Sequence, residues 1–272
     1  MKLHNMDTNN ARPVGVFDSG VGGLSVLRCM REKLPHEDFL YVADSGYAPY
    51  GDKPVEYIEK RAFAITEFLT GEGAKAIVVA CNTATAAAIA KLRSAFDIPI
   101  IGMEPGVKPA IGATQCKIVG IMATTETLKS EKFRLLVKRF CNDCTIVTQP
   151  CPGLVEQVEQ FDLGGKKTCE LVERYAGRLL EKGVDVIVLG CTHYPFLSGI
   201  IQKIAGNGVK IIDTGVAVAR EVRRRLETAG ILADRSDAGV ETFWTSGDVN
   251  NVQNIIRQLW RCDAVVRPLI EG

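Results

Sequence analysis

A chain of 272 residues with 46% apolar content is long enough to bury one large core or two modest ones. Its 33 Lys and Arg against 32 Asp and Glu leave a formal charge of only +1, so the overall balance gives no support to nucleic acid or an anionic membrane as partner. No apolar stretch approaches the roughly 20 residues of a membrane span, Met1 to Pro13 is polar without an apolar leader, and nine cysteines cannot all pair within the chain; a cytoplasmic protein with free thiols is expected.

Short β-branched runs alternate with helical patterns, the signature of βαβ units and parallel sheets. The first expected strand, Val14–Phe17, runs into Asp18-Ser19-Gly20-Val21-Gly22-Gly23 and then a helical Leu24–Leu34. Those glycines allow a tight turn whose N–H groups could hold an anion, although the spacing is neither a dinucleotide fingerprint nor a phosphate loop. Asp18 taken alone reads equally well as a helix cap. Phe39–Ala43 follows, then a loop by composition, Ala48-Pro49-Tyr50-Gly51-Asp52, then a helical Val55–Leu69. Further strands are expected at Ala76–Ala80, Ile98–Ile101, Lys117–Ile121, Thr145–Thr148, Val184–Leu189, Val209–Ile212, Glu241–Thr245 and Ala264–Pro268. Helical stretches fall at Glu126–Phe140, Lys167–Glu181 and Ala217–Ala229, the last carrying the basic run Arg223-Arg224-Arg225 as a solvated face. The expected architecture is doubly wound α/β.

Two segments repeat one another: an apolar strand ends in Ala80-Cys81-Asn82-Thr83, and a second ends in Gly190-Cys191-Thr192-His193. Apolar runs of this kind are parallel strands buried on both faces, and α/β enzymes bind ligands beyond the carboxyl ends of such strands. A single thiol in this setting reads as core. Two in matching contexts, 110 positions apart (191 − 81), suggest one from each of two domains facing a shared cleft. Thr83 and Thr85 after one cysteine and Pro195 after the other mark helix starts, where a thiolate is favoured.

Phe17-Asp18-Ser19-Gly20-Val21-Gly22-Gly23-Leu24-Ser25-Val26, Pro49-Tyr50-Gly51, Ala80-Cys81-Asn82-Thr83-Ala84-Thr85 and Gly190-Cys191-Thr192-His193-Tyr194-Pro195 together resemble the four motifs of the glutamate racemases, in that family's order and over most of the chain. The resemblance implies two pseudosymmetric α/β domains, one formed by residues 1–98 and completed by 213–272, the other by 99–212. It implies an enzyme that uses neither cofactor nor metal, interconverts L- and D-glutamate and supplies D-glutamate for peptidoglycan, in a cytoplasmic homodimer. Cys81 and Cys191 match the family's two proton donor/acceptors, with Asp18 assisting one and His193 with Glu156 assisting the other. Asp18-Ser19, Pro49-Tyr50-Gly51, Asn82-Thr83, Thr124, Thr127 and Thr192-His193 match substrate contacts. Ala123 stands where many members have Gly.

The chemistry suits these residues. Inversion at an α-carbon takes a proton from one face and delivers one to the other, so two groups in opposite protonation states are needed. A thiol with a pKa near 8.5 serves either role after a modest push. Of the three histidines, His193 alone neighbours a candidate thiol, which suits an acid/base or tuning role. Ser19, Asn82, Thr83 and Thr192 can hydrogen-bond carboxylates without a Lys or Arg. Three competing readings remain from sequence: a two-cysteine racemase of aspartate, a thiol or zinc protein built on Cys141, Cys144 and Cys151, and a binding protein whose domains close on a ligand.

Overall fold

The computed structural model describes residues 10–141, 143–261 and 263–270; the polar segment ahead of Asn10, with His4, lies outside them. Ten strands form two all-parallel sheets. The larger holds β1 (Val14–Asp18), β2 (Phe39–Ala43), β3 (Ala76–Val79), β4 (Ile100–Ile101), β9 (Glu241–Thr245) and β10 (Val266–Pro268), in the order β10-β9-β2-β1-β3-β4. The smaller holds β5 (Ile118–Ala123), β6 (Thr145–Pro150), β7 (Val186–Leu189) and β8 (Lys210–Ile212), in the order β6-β5-β7-β8. The expected doubly wound α/β architecture is therefore present. Every residue of β1, β2, β3 and β7 is buried, which is why these strands read as continuous apolar runs. The edge strand β6 is largely exposed.

The order β2-β1-β3-β4 repeats in β6-β5-β7-β8, so the two sheets are built alike. In each, the chain winds outward from the first strand, then crosses to its other side. The reversal opens a crevice at the carboxyl ends of β1 and β3 and another at those of β5 and β7, the positions where doubly wound sheets bind ligands. Asp18 and Cys81 stand at the first crevice; Thr124 and Cys191 stand at the second. The C-terminal strands β9 and β10 extend the larger sheet beyond β2, and the helix Gly215–Thr228 packs on Leu24–Lys33.

Three details differ from the sequence expectation. β4 pairs with β3, so Ile100 and Ile101 belong to the larger sheet although they follow residue 98. The helical pattern Glu126–Phe140 is two helices, Thr125–Lys129 and Glu131–Phe140, because Ser130 is extended and its hydroxyl accepts from Phe133 N at 3.1 Å as an N-cap. Third, Cys191 opens no α-helix: a short 3₁₀ turn, Tyr194–Leu197, comes first and the helix begins at Ser198. At the opposite ends of the strands Lys75 and Glu37 form a buried ion pair at 2.6 Å, with Lys75 Nζ also donating to Asn10 O at 2.7 Å.

Candidate active site

Asp18 ends β1, and Cys81, Thr124 and Cys191 lie within two residues of the ends of β3, β5 and β7. Cys81, directly after β3, is the N-cap of helix Asn82–Ala95, and its sulfur accepts from Ala84 N at 3.4 Å. Ser19 Oγ lies 3.8 Å from the same sulfur. Asp18, the last residue of β1, is fully buried; its carboxylate accepts from Gly23 N at 2.8 Å and from Thr192 Oγ1 at 3.4 Å. Asp18 thus ties the glycine turn to the Cys191 segment instead of capping a helix. Ser25 Oγ strengthens the tie by donating to Thr192 O at 2.8 Å.

Around Cys191 the helix start is replaced by an imidazole. His193 Nδ1 lies 3.7 Å from the sulfur, and Nε2 lies 2.7 Å from Glu159 Oε1. The carboxylate beside His193 is therefore Glu159, and the sequence assignment of that place to Glu156 is corrected. Glu156, one turn earlier on helix Leu154–Glu159, instead lines a small open cavity with Gly51, Asp52, Thr124 and Cys151. Glu159 also accepts from Val21 N at 2.7 Å and from Ser45 Oγ at 2.9 Å. The glycine turn does hold an anion, and the anion is this side chain. A Cβ at Gly20 would sit 2.0 Å from Glu159 Oε1, and one at Gly22 would sit 2.3 Å from His193 Nδ1. These glycines serve the close approach of the pair.

The remaining predicted contacts fall into two groups. Thr83, Thr124 and Thr127 form a hydroxyl triangle, with Thr83 Oγ1 at 2.9 Å from Thr124 Oγ1 and 3.2 Å from Thr127 Oγ1. Gly51 packs on Thr124, where a Cβ would come within 2.9 Å, and Pro49 borders the same cavity. Tyr50 is buried with its hydroxyl donated to Asp44, which Arg61 also clamps through Nε at 2.9 Å and a terminal nitrogen at 2.8 Å. Its hydroxyl is thereby committed to holding the loop. Asn82 differs from all of these: both polar atoms of its amide are buried without a hydrogen-bond partner. An orphaned buried amide costs about 1–3 kcal/mol per group.

Electrostatics separate the two thiols. Burial pushes the Cys81 thiol far above its usual range, and the Asp18 carboxylate pushes the same way. Burial likewise raises the Asp18 carboxyl, although the charge of His193 opposes it. For His193, burial disfavours the charged ring, yet its hydrogen bonds to Cys191 and Glu159 outweigh that and hold the proton well above the ordinary histidine range. A protonated ring donates Nε2–H to Glu159 and Nδ1–H toward Cys191. One thiol faces Asp18 and the other His193.

The second competing reading, the one built on Cys141, Cys144 and Cys151, loses its geometry here. Cys144 precedes β6 and Cys151 follows it, so about 20 Å of strand separates them. The eight cysteines among the described residues are all unpaired, and no group of three or more His, Cys, Asp or Glu among those residues is arranged to hold a metal ion.

Residues 14–222 match the Asp/Glu/Hydantoin racemase family. The chain is 57% identical over 265 residues to the glutamate racemase of Methylococcus capsulatus, covering 97% of this chain and 98% of that one, and 49% identical over 258 residues to that of Pseudomonas aeruginosa, covering 94% and 97%. Its fold superposes on glutamate racemase isoform RacE1 from Bacillus anthracis with a TM-score of 0.88 at 33% identity, covering 96% of this chain and 98% of that one. The Escherichia coli glutamate racemase solved with L-glutamate and the activator UDP-MurNAc-ala gives a TM-score of 0.83 at 31% identity, covering 95% and 98%. With sequence and fold agreeing over nearly the whole length, the chain belongs to the Asp/Glu/Hydantoin racemase family, among its glutamate racemases.

Proposed function

We propose that the enzyme inverts glutamate by a two-base reaction in which Cys81 and Cys191 work on opposite faces of the α-carbon. The observation carrying this reading is the pair of thiols at matching switch points of two like sheets, one backed by Asp18 and the other by the His193–Glu159 pair. In each turnover a thiolate removes the α-proton while the opposite thiol delivers one, and the roles of the two sulfurs are then exchanged. His193 stands beside the Cys191 sulfur, and Asp18 supports the proton on Cys81. The Asn82 amide, Ser19, Thr192 and the triangle of Thr83, Thr124 and Thr127 hold the substrate carboxylates with the help of the helix N-terminus at Asn82. Backbone at Pro49, Tyr50 and Gly51 shapes the adjoining wall.

The cleft in this reading lies between two lobes, one built on residues 1–98 with 213–272 and the other on most of 99–212, with the boundary moved beyond β4 because that strand pairs with β3. The further reading is a cytoplasmic homodimer that needs no cofactor and supplies D-glutamate for peptidoglycan, with neither nucleic acid nor membrane as partner. The near-zero net charge speaks against nucleic acid or an anionic membrane as partner, and among the described residues no helix is long and apolar enough to cross a membrane.

Heavy water tests the two-base step. With one enantiomer of glutamate and the first few per cent of reaction, the far-side acid carries deuterium before substrate arrives. Nearly every product molecule then carries deuterium at Cα, while recovered substrate stays largely protiated. Substantial protium in early product means a single base served both faces and removes the mechanism. The same assay with aspartate separates the two substrates.

A further inference from the structure

Ser45 lies outside all four motifs, yet its hydroxyl is the donor to Glu159 Oε2, at 2.9 Å. Oε1 of the same carboxylate carries Val21 N and His193 Nε2, each at 2.7 Å. We propose that Ser45 is a positioning residue for racemisation, locking the Glu159 carboxylate from across the cleft so that His193 stays in register with Cys191. The proposal rests on the two-thiol reading above.

The geometry gives this hydroxyl leverage. Glu159 is the last residue of helix Leu154–Glu159, in the part of the chain that carries the smaller sheet, and the terminal torsion of a Glu carboxylate is broad and intrinsically undirected. Ser45 opens the 3₁₀ turn Ser45–Tyr47 that follows β2 of the larger sheet, and that turn is braced from several sides. Asp44 N donates to Asp18 O at 3.0 Å, the Asp44 carboxylate is clamped by Arg61 and Tyr50, and Gly46 N donates to Ser246 Oγ at 3.1 Å. A hydrogen bond from this turn fixes the plane of the carboxylate, and the plane fixes which oxygen meets His193. Val21 N fixes Oε1 from the same side of the cleft. With Ser45 and Val21 on one half and Glu159 and His193 on the other, the catalytic imidazole is aligned only while the halves are together.

The test uses the full-length enzyme with Ser45→Ala, Ser45→Thr, Glu159→Gln and the Ser45→Ala/Glu159→Gln pair. The expected result for Ser45→Ala is a kcat loss on the order of tenfold, the scale of one hydrogen bond to a charged group. Ser45 does not touch the reacting atoms, so Ser45→Thr restores activity by returning the hydroxyl. Loss of the bond weakens the hold of Glu159 on the His193 proton, so the limb of the pH–kcat profile set by His193 moves to lower pH. In the Glu159→Gln background, Ser45→Ala adds little, because the group it acts through has changed. An unchanged kcat and pH profile in Ser45→Ala overturns the proposal, and so does full additivity with Glu159→Gln. If Cys191→Ala keeps its turnover, the two-thiol reading fails first; if Cys191→Ala is inactive and Ser45→Ala is silent, only the assignment of Ser45 fails.

Discussion

Replacing Gly22 by alanine introduces a Cβ 2.3 Å from His193 Nδ1, 2.5 Å from Cε1 and 2.6 Å from Cγ. Ordinary contact begins near 3.4 Å, so the ring must retreat by about 1.1 Å (3.4 − 2.3). Gly22 does not occupy the left-handed region, so the backbone accepts alanine and the perturbation is steric alone. Retreat is opposed by Glu159 at 2.7 Å from Nε2, and it opens the 3.7 Å approach of Nδ1 to Cys191. Misplacement of about 1 Å at a reacting group costs on the order of 10²-fold in rate, or about 2.7 kcal/mol. The expected outcome is a drop of that size in kcat, measured as initial rates from L- and D-glutamate by loss or gain of circular dichroism, with the melting temperature little changed. Enantiomers have equal free energies, so kcat/KM must fall equally in both directions. The kcat values are expected to fall unequally, because His193 serves one thiol. A Gly22→Ala enzyme within threefold of the parent in both directions would refute the placement of His193 as a working neighbour of Cys191.

Cys81→Ala and Cys191→Ala are each expected to lower racemisation by roughly 10³-fold or more while the folded state persists, since each removes the only base on its face; near-parental turnover in either variant removes that cysteine from the mechanism. Glu159→Gln is expected to depress kcat more than Glu156→Gln under identical assay, and the reverse order would restore Glu156 as the partner of His193. The buried Asp18 carboxyl has a raised pKa, so it favours the folded state below its unfolded value and this contribution is lost as pH rises through the folded value. Asp18→Asn should therefore melt higher than the parent at pH 7, by a margin that shrinks toward acid, while its activity falls; a lower melting temperature at pH 7 contradicts the assignment. Lys75→Met leaves Glu37 buried without its cation and should cost about 3–5 kcal/mol in urea unfolding, a loss that a value near zero would rule out.

Strands were the most legible part of the fold, because parallel strands covered on both faces leave apolar runs bounded by turns. All ten lie within two or three residues of their expected ends. Helices were less exact. Glu126–Phe140 keeps one apolar periodicity through Ser130, and only the capping hydroxyl breaks it, so the pattern alone reads as continuous. Pairing partners were hidden for a different reason: β4 is two residues long, and which sheet it joins depends on contacts with β3 that no local pattern encodes.

Choosing between Glu156 and Glu159 turned on a signal present in the chain. Three residues apart on a helix, the two carboxylates are neighbours on one side, so spacing does not separate them. Helix polarity does. An acidic residue in the first turn is stabilised by free N–H groups, and Glu156 stands there; a carboxylate at the last residue meets unpaired carbonyls, and Glu159 stands there. The residue that breaks the local rule is the one held by Val21, Ser45 and His193.

The same reasoning explains why the internal repeat is imperfect at its most important point. Two like sheets deliver two like thiols, but a two-base inversion needs one thiol protonated while the other is not. Symmetry of fold must therefore give way to asymmetry of charge. Cys81 caps a helix and faces Asp18, whereas after Cys191 the chain enters a 3₁₀ turn and offers His193 in place of a helix start. The dissimilar residues after each cysteine, Asn82-Thr83 and Thr192-His193, are where the repeat departs from itself, and on the proposed mechanism that departure gives each thiol its own partner while the two sulfurs exchange roles between the forward and reverse reactions.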